Sequence, residues 1–222
     1  MPIIGPGITV GAGITVTNTP PPVLAGLQLY LDAGNPASYP GTGTTWTDLS
    51  PSANNGTFNS APTYTAANGG SLIFNGSIEV TLASIINLPG NFSINWWEYL
   101  TGTISNNQCI IFGPNGNDIN HYEGKIRFYA PGNYGTSPTT TLPNVWYNWC
   151  YVRSGTTLSL YLNGSLNISE TVPVGTAQIS LVARGNGGFL TGQLPTIQVY
   201  NSALSAGNVM QNYQALRDRY GL

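Results

Sequence analysis

Asp118, Asn120, His121 and Glu123 fall within one short loop, GNDINHYE, the most polar cluster of the chain. Asp118, Asn120 and Glu123 could offer oxygen ligands to calcium, a hard cation that takes carboxylate and amide oxygens. Two full carboxylates suit weak binding at best, and the competing reading is a solvated turn with Asx-type self hydrogen bonds. No metal or other cofactor is assigned. His121 has no serine or cysteine nucleophile in a recognisable motif and no acidic partner beyond this loop, so it reads as a surface histidine. Cys109 and Cys150 cannot build a zinc site with only that histidine. They read as two buried thiols or as a disulfide between neighbouring strands.

Hydrolysis of a glycoside needs two carboxylates roughly 5–10 Å apart, one acid and one base or nucleophile. Glu79 and Glu98 each stand alone in strand-like stretches, and no E-x-D-x-x-E spacing occurs. No catalytic residue is assigned, and the chain is not expected to be an enzyme. Sugar binding needs aromatic platforms with amide and carboxylate partners. Trp97, Tyr99, Tyr122 and Tyr134 could supply them, against the competing reading that most rings fill a core.

Positioning such residues falls to strands. Charged residues are 6% of the 222, against about 25% in an average soluble domain, while five Trp and 13 Tyr rule out a disordered chain. No apolar run approaches the ~20 residues of a membrane helix. Six scattered basic residues and a net charge of −2 give no patch for a phosphate backbone, which excludes nucleic acid. The start has neither the basic opening nor the continuous apolar centre of a secretory signal.

Apolar residues alternate along LQLYL, NFSINWWEYL and VWYNWCYVRSGTTLSLYLNG, the period of half-buried strands. Trp96 and Trp97 must face opposite ways, one into a core and one away from it. Hairpin turns are expected at Asn75-Gly76, Ser154-Gly155 and Asn163-Gly164, and a strand pair around GNGGF. QCIIFG and GKIRFYAP read as strands either side of the polar loop. Trp46 and Leu49 are the expected anchors of the Gly-, Thr-, Ser- and Asn-rich loop that follows the first strand. A helix is expected only at the end, capped by Ser205, with Val209, Tyr213, Leu216 and Tyr220 at helical spacing and Gly221 stopping it.

Before this pattern lies an arm. Residues 1–22 hold two GITV phrases and end in three consecutive prolines, and residues 23–222 form the one domain. The prolines favour a stiff extended spacer that holds the arm away from the domain. Ile3, Ile4, Ile8, Val10, Ile14 and Val16 would then be buried against other subunits.

The order of Leu29-Tyr30-Leu31-Asp32, Leu72-Ile73-Phe74-Asn75-Gly76, Phe92-Ser93-Ile94 before Trp97, Trp146 ahead of Leu160-Tyr161-Leu162-Asn163-Gly164, and Val199-Tyr200-Asn201-Ser202-Ala203-Leu204-Ser205 resembles the laminin-G-like branch of the concanavalin A-like lectin/glucanase superfamily. The resemblance implies an all-β, antiparallel jelly-roll sandwich, here with an extended N-terminal arm and a short C-terminal helix. It does not imply one function. Two expectations follow. The first is a structural or decoration protein on the outer surface of a bacteriophage virion, joined to other virion subunits by the arm and homo-oligomeric. The alternative is an extracellular glycan-binding adhesin or tail-fibre module.

Overall fold

The computed structural model describes residues 19–114, 118–130, 133–173, 175–185 and 187–222, with the backbone alone at 129–130 and 133–134. In chain order the strands are β1 (Leu27–Asp32), β2 (Thr45–Trp46), β3 (Gly56–Phe58), β4 (Thr63–Thr65), β5 (Ser71–Asn75), β6 (Val80–Leu88), β7 (Phe92–Leu100) and β8 (Gln108–Phe112). There follow β9 (Asp118–Tyr122), β10 (Lys125–Ala130), β11 (Asn133–Thr140), β12 (Trp146–Ser154), β13 (Thr157–Leu162), β14 (Ser165–Thr171), β15 (Ala177–Val182) and β16 (Thr191–Tyr200). Among the described residues one α-helix, α1 (Ala206–Leu216), runs on into a 3-10 turn at Arg217–Tyr220.

The strands form a sandwich of two antiparallel sheets, the expected fold. The first sheet has the order β14-β13-β12-β7-β16-β5-β4, with β1 also paired to β16; the second has the order β11-β10-β9-β8-β15-β6-β3-β2. Their facing sides bury one apolar core, in which Trp46, Trp96 and Trp149 are fully enclosed. Leu49, the other expected loop anchor, is half-buried.

Two expected hairpins are instead crossings between sheets. Gly76 takes the expected positive φ of +84°. Yet β5 pairs with β16 and β4 in the first sheet, while β6 pairs with β15 and β3 in the second. Across GNGGF, β15 and β16 also belong to different sheets, and the connection between them carries an isolated Arg184–Phe189 bridge. The hairpins at Ser154-Gly155 and Asn163-Gly164 form as expected, with β12, β13 and β14 in sequential register. The polar loop contains a strand of its own, β9, paired to both β8 and β10.

The outer face of the first sheet is roofed by the C-terminal helix. Ser205 caps α1, its hydroxyl accepting the Asn208 N–H at 3.1 Å, and Gly221 ends the helical run at φ +72°. Trp97, Trp146, Leu216 and Tyr220 pack together beneath it. Each aromatic pair there contributes about 0.5–1.5 kcal/mol beyond its buried area. Arg219 closes the roof with a two-pronged ion pair to Asp32, at 2.8 and 3.1 Å.

The chain's entry is tied to the same roof. Asn212 Oδ1 accepts the Val23 N–H, Gln211 donates to the Pro21 carbonyl, and Tyr200 donates to the Val23 carbonyl. The proline spacer therefore lies against α1 at Pro21. Residues 1–18, including Ile3, Ile4, Ile8, Val10, Ile14 and Val16, lie outside the described residues. Among the described residues no helix is long and apolar enough to cross a membrane.

Candidate functional site

Successive side chains of a strand point to opposite faces, and β9 sorts its chemistry accordingly. Ile119 enters the core, and His121 enters it two residues later. Asp118, Asn120 and Tyr122 take the outer face of the second sheet. On β10, Ile126 and Phe128 are core residues, which places Lys125 and Arg127 on that same outer face. Register sets Arg127 opposite Asn120 and Lys125 opposite Tyr122, while the half-buried Phe112 of β8 lies opposite Asp118.

These residues form one connected surface. The Arg127 guanidinium carbon lies 4.1 Å from the centre of the Tyr122 ring, within cation–π range. Arg127 also donates to Asn107 Oδ1 at 3.3 Å. The Asn107 N–H is bonded to the His121 carbonyl at 2.7 Å, and Asn106 Oδ1 accepts the Glu123 N–H at 2.6 Å, so this loop is pinned beside β9. Burial raises the Asp118 carboxyl above its usual range, against the opposing pull of the Asn120 amide and of Arg127. Asn120 is 1% exposed, and its Oδ1 and the Oδ1 of Asp118 are both buried without hydrogen-bond partners. Leaving a buried acceptor unpaired costs about 1–3 kcal/mol. The face thus combines two buried acceptors that lack donors with a guanidinium, two half-buried rings and balanced charge. Hydroxyl groups on an uncharged ring satisfy that set.

The structure sorts the aromatic candidates differently from the sequence. Trp97 is fully enclosed, stacked 5.7 Å from Tyr213 and 4.3 Å from Tyr220, and presents no face to a sugar. Its strand points it away from the core, as expected, but α1 covers it. Tyr99 is half-buried against Trp146, on that same face. Tyr122 is part of the surface described above. The Tyr134 backbone pairs with Tyr129 at the start of β11, and its side chain lies outside the described residues.

The calcium candidates are not gathered into a cage. Asp118 and Asn120 share a face, but Glu123 stands exposed in the following turn at φ +50°. Arg127 already supplies the positive charge beside Asp118. Among the described residues no group of three or more His, Cys, Asp or Glu side chains assembles. Cys109 and Cys150 are free, buried, and in different sheets.

His121 is not a surface residue. It is fully buried, with Nε2 3.2 Å from the carboxylate of Glu98 on β7. That carboxylate also accepts the indole N–H groups of Trp96 and Trp149, each at 3.0 Å. Glu98 is therefore locked between the sheets, out of reach of any polymer. Glu79 forms a surface ion pair with Arg184 at 2.7 Å. The sequence reading missed Arg127, although Lys125 and Arg127 alternate with two apolar residues that belong to the core.

Elsewhere a depression of about 260 Å³ is walled by Gln28, Ser52, Asn54, Ser84, Ile85 and Asn87. It has polar walls but no ring.

Residues 74–210 match the family model described as the concanavalin A-like lectin/glucanases superfamily. No curated protein sequence matches the chain. Among solved structures, the chain is similar to domain 4 of AbnA, an extracellular GH43 arabinanase from Geobacillus stearothermophilus, in complex with arabinotriose. The TM-score is 0.64 at 14% identity, covering 84% of this chain and 98% of that domain. The binding domain of Paraclostridial Mosquitocidal Protein 1 gives 0.64 at 13% identity, over 85% of this chain and 52% of that one. The binding domain of Botulinum Neurotoxin DC, in complex with SialylT, gives 0.65 at 12% identity, over 86% and 52%. The chain spans about half the length of each toxin binding domain. At these identities the likeness establishes the fold alone.

Proposed function

This chain belongs to the concanavalin A-like lectin/glucanases superfamily, and from that premise we propose that it is a carbohydrate-binding module, reading neutral oligosaccharides on the outer face of β9 and β10. The observation that carries the reading is the pair of unpartnered acceptors, Asp118 Oδ1 and Asn120 Oδ1, beside the Tyr122–Arg127 stack. Arg127 lies over the half-buried Tyr122 ring, and in this reading a sugar stacks on that ring. Asp118 and Glu123 are offset by Lys125 and Arg127 in the same stretch, which favours uncharged ligands over sialylated or uronic ones. Similar folds with bound oligosaccharide, such as the arabinanase domain with arabinotriose, support the class of ligand.

A glycan array with the full chain tests this. Binding to neutral oligosaccharides that Tyr122→Ala and Arg127→Ala each reduce about tenfold, one hydrogen bond or stacking contact in free energy, supports the reading. Binding restricted to anionic glycans and lost at moderate salt contradicts it, because salt screens charge and not stacking.

A second reading concerns assembly. Pro21 and Val23 are clamped onto α1 and Tyr200. That supports a role for the arm in joining neighbouring subunits on a particle surface, with the sandwich displayed outward. Deletion of residues 1–18 that leaves oligomerisation or particle incorporation unchanged would remove this reading.

A further inference from the structure

The strand that carries the proposed sugar face is short, and the pairing around it is irregular. β9 spans Asp118–Tyr122, and its register with β8 shifts between Cys109 and Ile111, opposite Asn120 and Ile119. The register of β10 with β11 shifts as well, between Lys125 and Arg127. A slip of one residue in a strand turns every side chain to the opposite face. For β9 that would carry Asp118, Asn120 and Tyr122 into the core and Ile119 and His121 out of it.

Something specific must oppose the slip, and backbone hydrogen bonds alone do not, since they re-form in the shifted register. Ile119 contributes by burial, but an apolar contact tolerates neighbours of similar shape. The contact that does not is polar. Trp96 N–H and Trp149 N–H hold one oxygen each of the Glu98 carboxylate, both from the first sheet. The His121 imidazole reaches the same carboxylate from the second sheet, at 3.2 Å. Glu98 is thus a fixed acceptor in an apolar core, and a buried carboxylate needs its donors. A slipped β9 would bring Asn120 or Tyr122 toward it and leave the geometry unmet.

We infer that Glu98 and His121 are a positioning pair: the imidazole, tied across the sandwich, fixes the depth and register of β9 so that Asp118, Asn120 and Tyr122 present as one binding surface. This rests on the carbohydrate-binding reading of that face. The pair touches no ligand and acts only through β9.

The test compares His121→Asn with His121→Gln in the full chain. The Gln amide extends as far as the imidazole Nε2 and can still donate to Glu98; the Asn amide is too short. Amide hydrogen exchange is read at residues 119–122 and, as an internal control, along β13. Affinity is read on an array of neutral oligosaccharides that includes arabinotriose. His121→Asn is expected to speed exchange at 119–122 about tenfold with β13 unchanged and to weaken the best array ligand about tenfold. His121→Gln is expected to stay within about twofold of the unaltered chain on both. If the two substitutions give the same exchange at 119–122, or if His121→Asn loosens β9 without weakening binding, the inference is wrong. An unaltered chain that binds no neutral glycan defeats the carbohydrate reading instead, and the exchange contrast still decides whether the pair fixes β9.

Discussion

Asn212 and Val23, far apart in sequence, are joined by a 2.8 Å hydrogen bond from the Val23 N–H to the Asn212 side-chain oxygen. Asn212 in turn donates to the Tyr200 hydroxyl at 3.0 Å, and that hydroxyl donates to the Val23 carbonyl at 3.0 Å. The ring of three bonds is buried and links the chain's entry, the last strand and the helix. Together with the Gln211 bond to the Pro21 carbonyl, it ties residues 21–23 to the sandwich.

Deleting residues 1–18 is therefore expected to leave the melting temperature within a degree or so, since the clamp lies downstream of the cut. Asn212→Ala should cost about 2 kcal/mol, because it strands the buried Val23 N–H and removes the amide that donates to the Tyr200 hydroxyl. Calorimetry on both variants checks this. A large loss on truncation with none for Asn212→Ala would reverse the assignment.

Arg219 and Asp32 are expected to hold the helical roof down. Asp32 is 1% exposed, so Arg219→Ala leaves a buried carboxylate with only the Tyr30 hydroxyl, at 3.1 Å, and the Gly34 N–H, at 2.9 Å, to satisfy it. The expected loss is about 3 kcal/mol, the scale for breaking a buried pair from one side. Denaturant unfolding would show it, and a change below about 1 kcal/mol, the range of an exposed pair, would contradict it.

Glu98 is expected to be a stability residue with no catalytic role. Glu98→Gln replaces one acceptor oxygen by an amide that confronts an indole N–H, at a cost of about 2–4 kcal/mol. Unfolding measurements should detect that loss, and the unaltered chain should leave β-glucans intact. Polysaccharide turnover by the unaltered chain, abolished in a Glu98→Gln variant that remains folded, would overturn the assignment.

The raised pKa of Asp118 carries a sign that can be checked. A carboxyl that burial lifts in the folded chain stabilises the fold below its unfolded pKa of about 4, and that contribution is lost as pH rises through the folded value. At neutral pH ionised Asp118 therefore works against the fold. Asp118→Asn should raise the melting temperature near pH 7 and leave it nearly unchanged near pH 3. Equal effects at both pH values would rule out burial as the cause.

Much of this architecture is legible in the sequence. Alternation along β7 places Trp96 and Trp97 on opposite faces, and Ser205, the apolar spacing and Gly221 delimit the helix. The sheet assignment is not legible, because both sheets face one core and a strand's pattern is the same in either. Asn75-Gly76 therefore reads as a hairpin although the chain crosses there between layers. His121 carries a faint signal, sharing parity with Ile119, but its partner Glu98 is distant in sequence and belongs to the other sheet. Arg127 shares parity with Lys125, and only the fold brings both beside Tyr122. Trp97 shows the converse limit: its outward direction can be read, but not the helix that covers it.

The central claim is where sugar binds, and a backbone amide NMR titration with the strongest neutral array ligand tests it most directly. The account predicts shifts concentrated at Asn107, residues 118–122 and Arg127, with Tyr122→Ala suppressing them and added salt leaving them in place. Shifts confined to the depression walled by Gln28, Ser52, Asn54, Ser84, Ile85 and Asn87, with β9 and β10 silent, would contradict it.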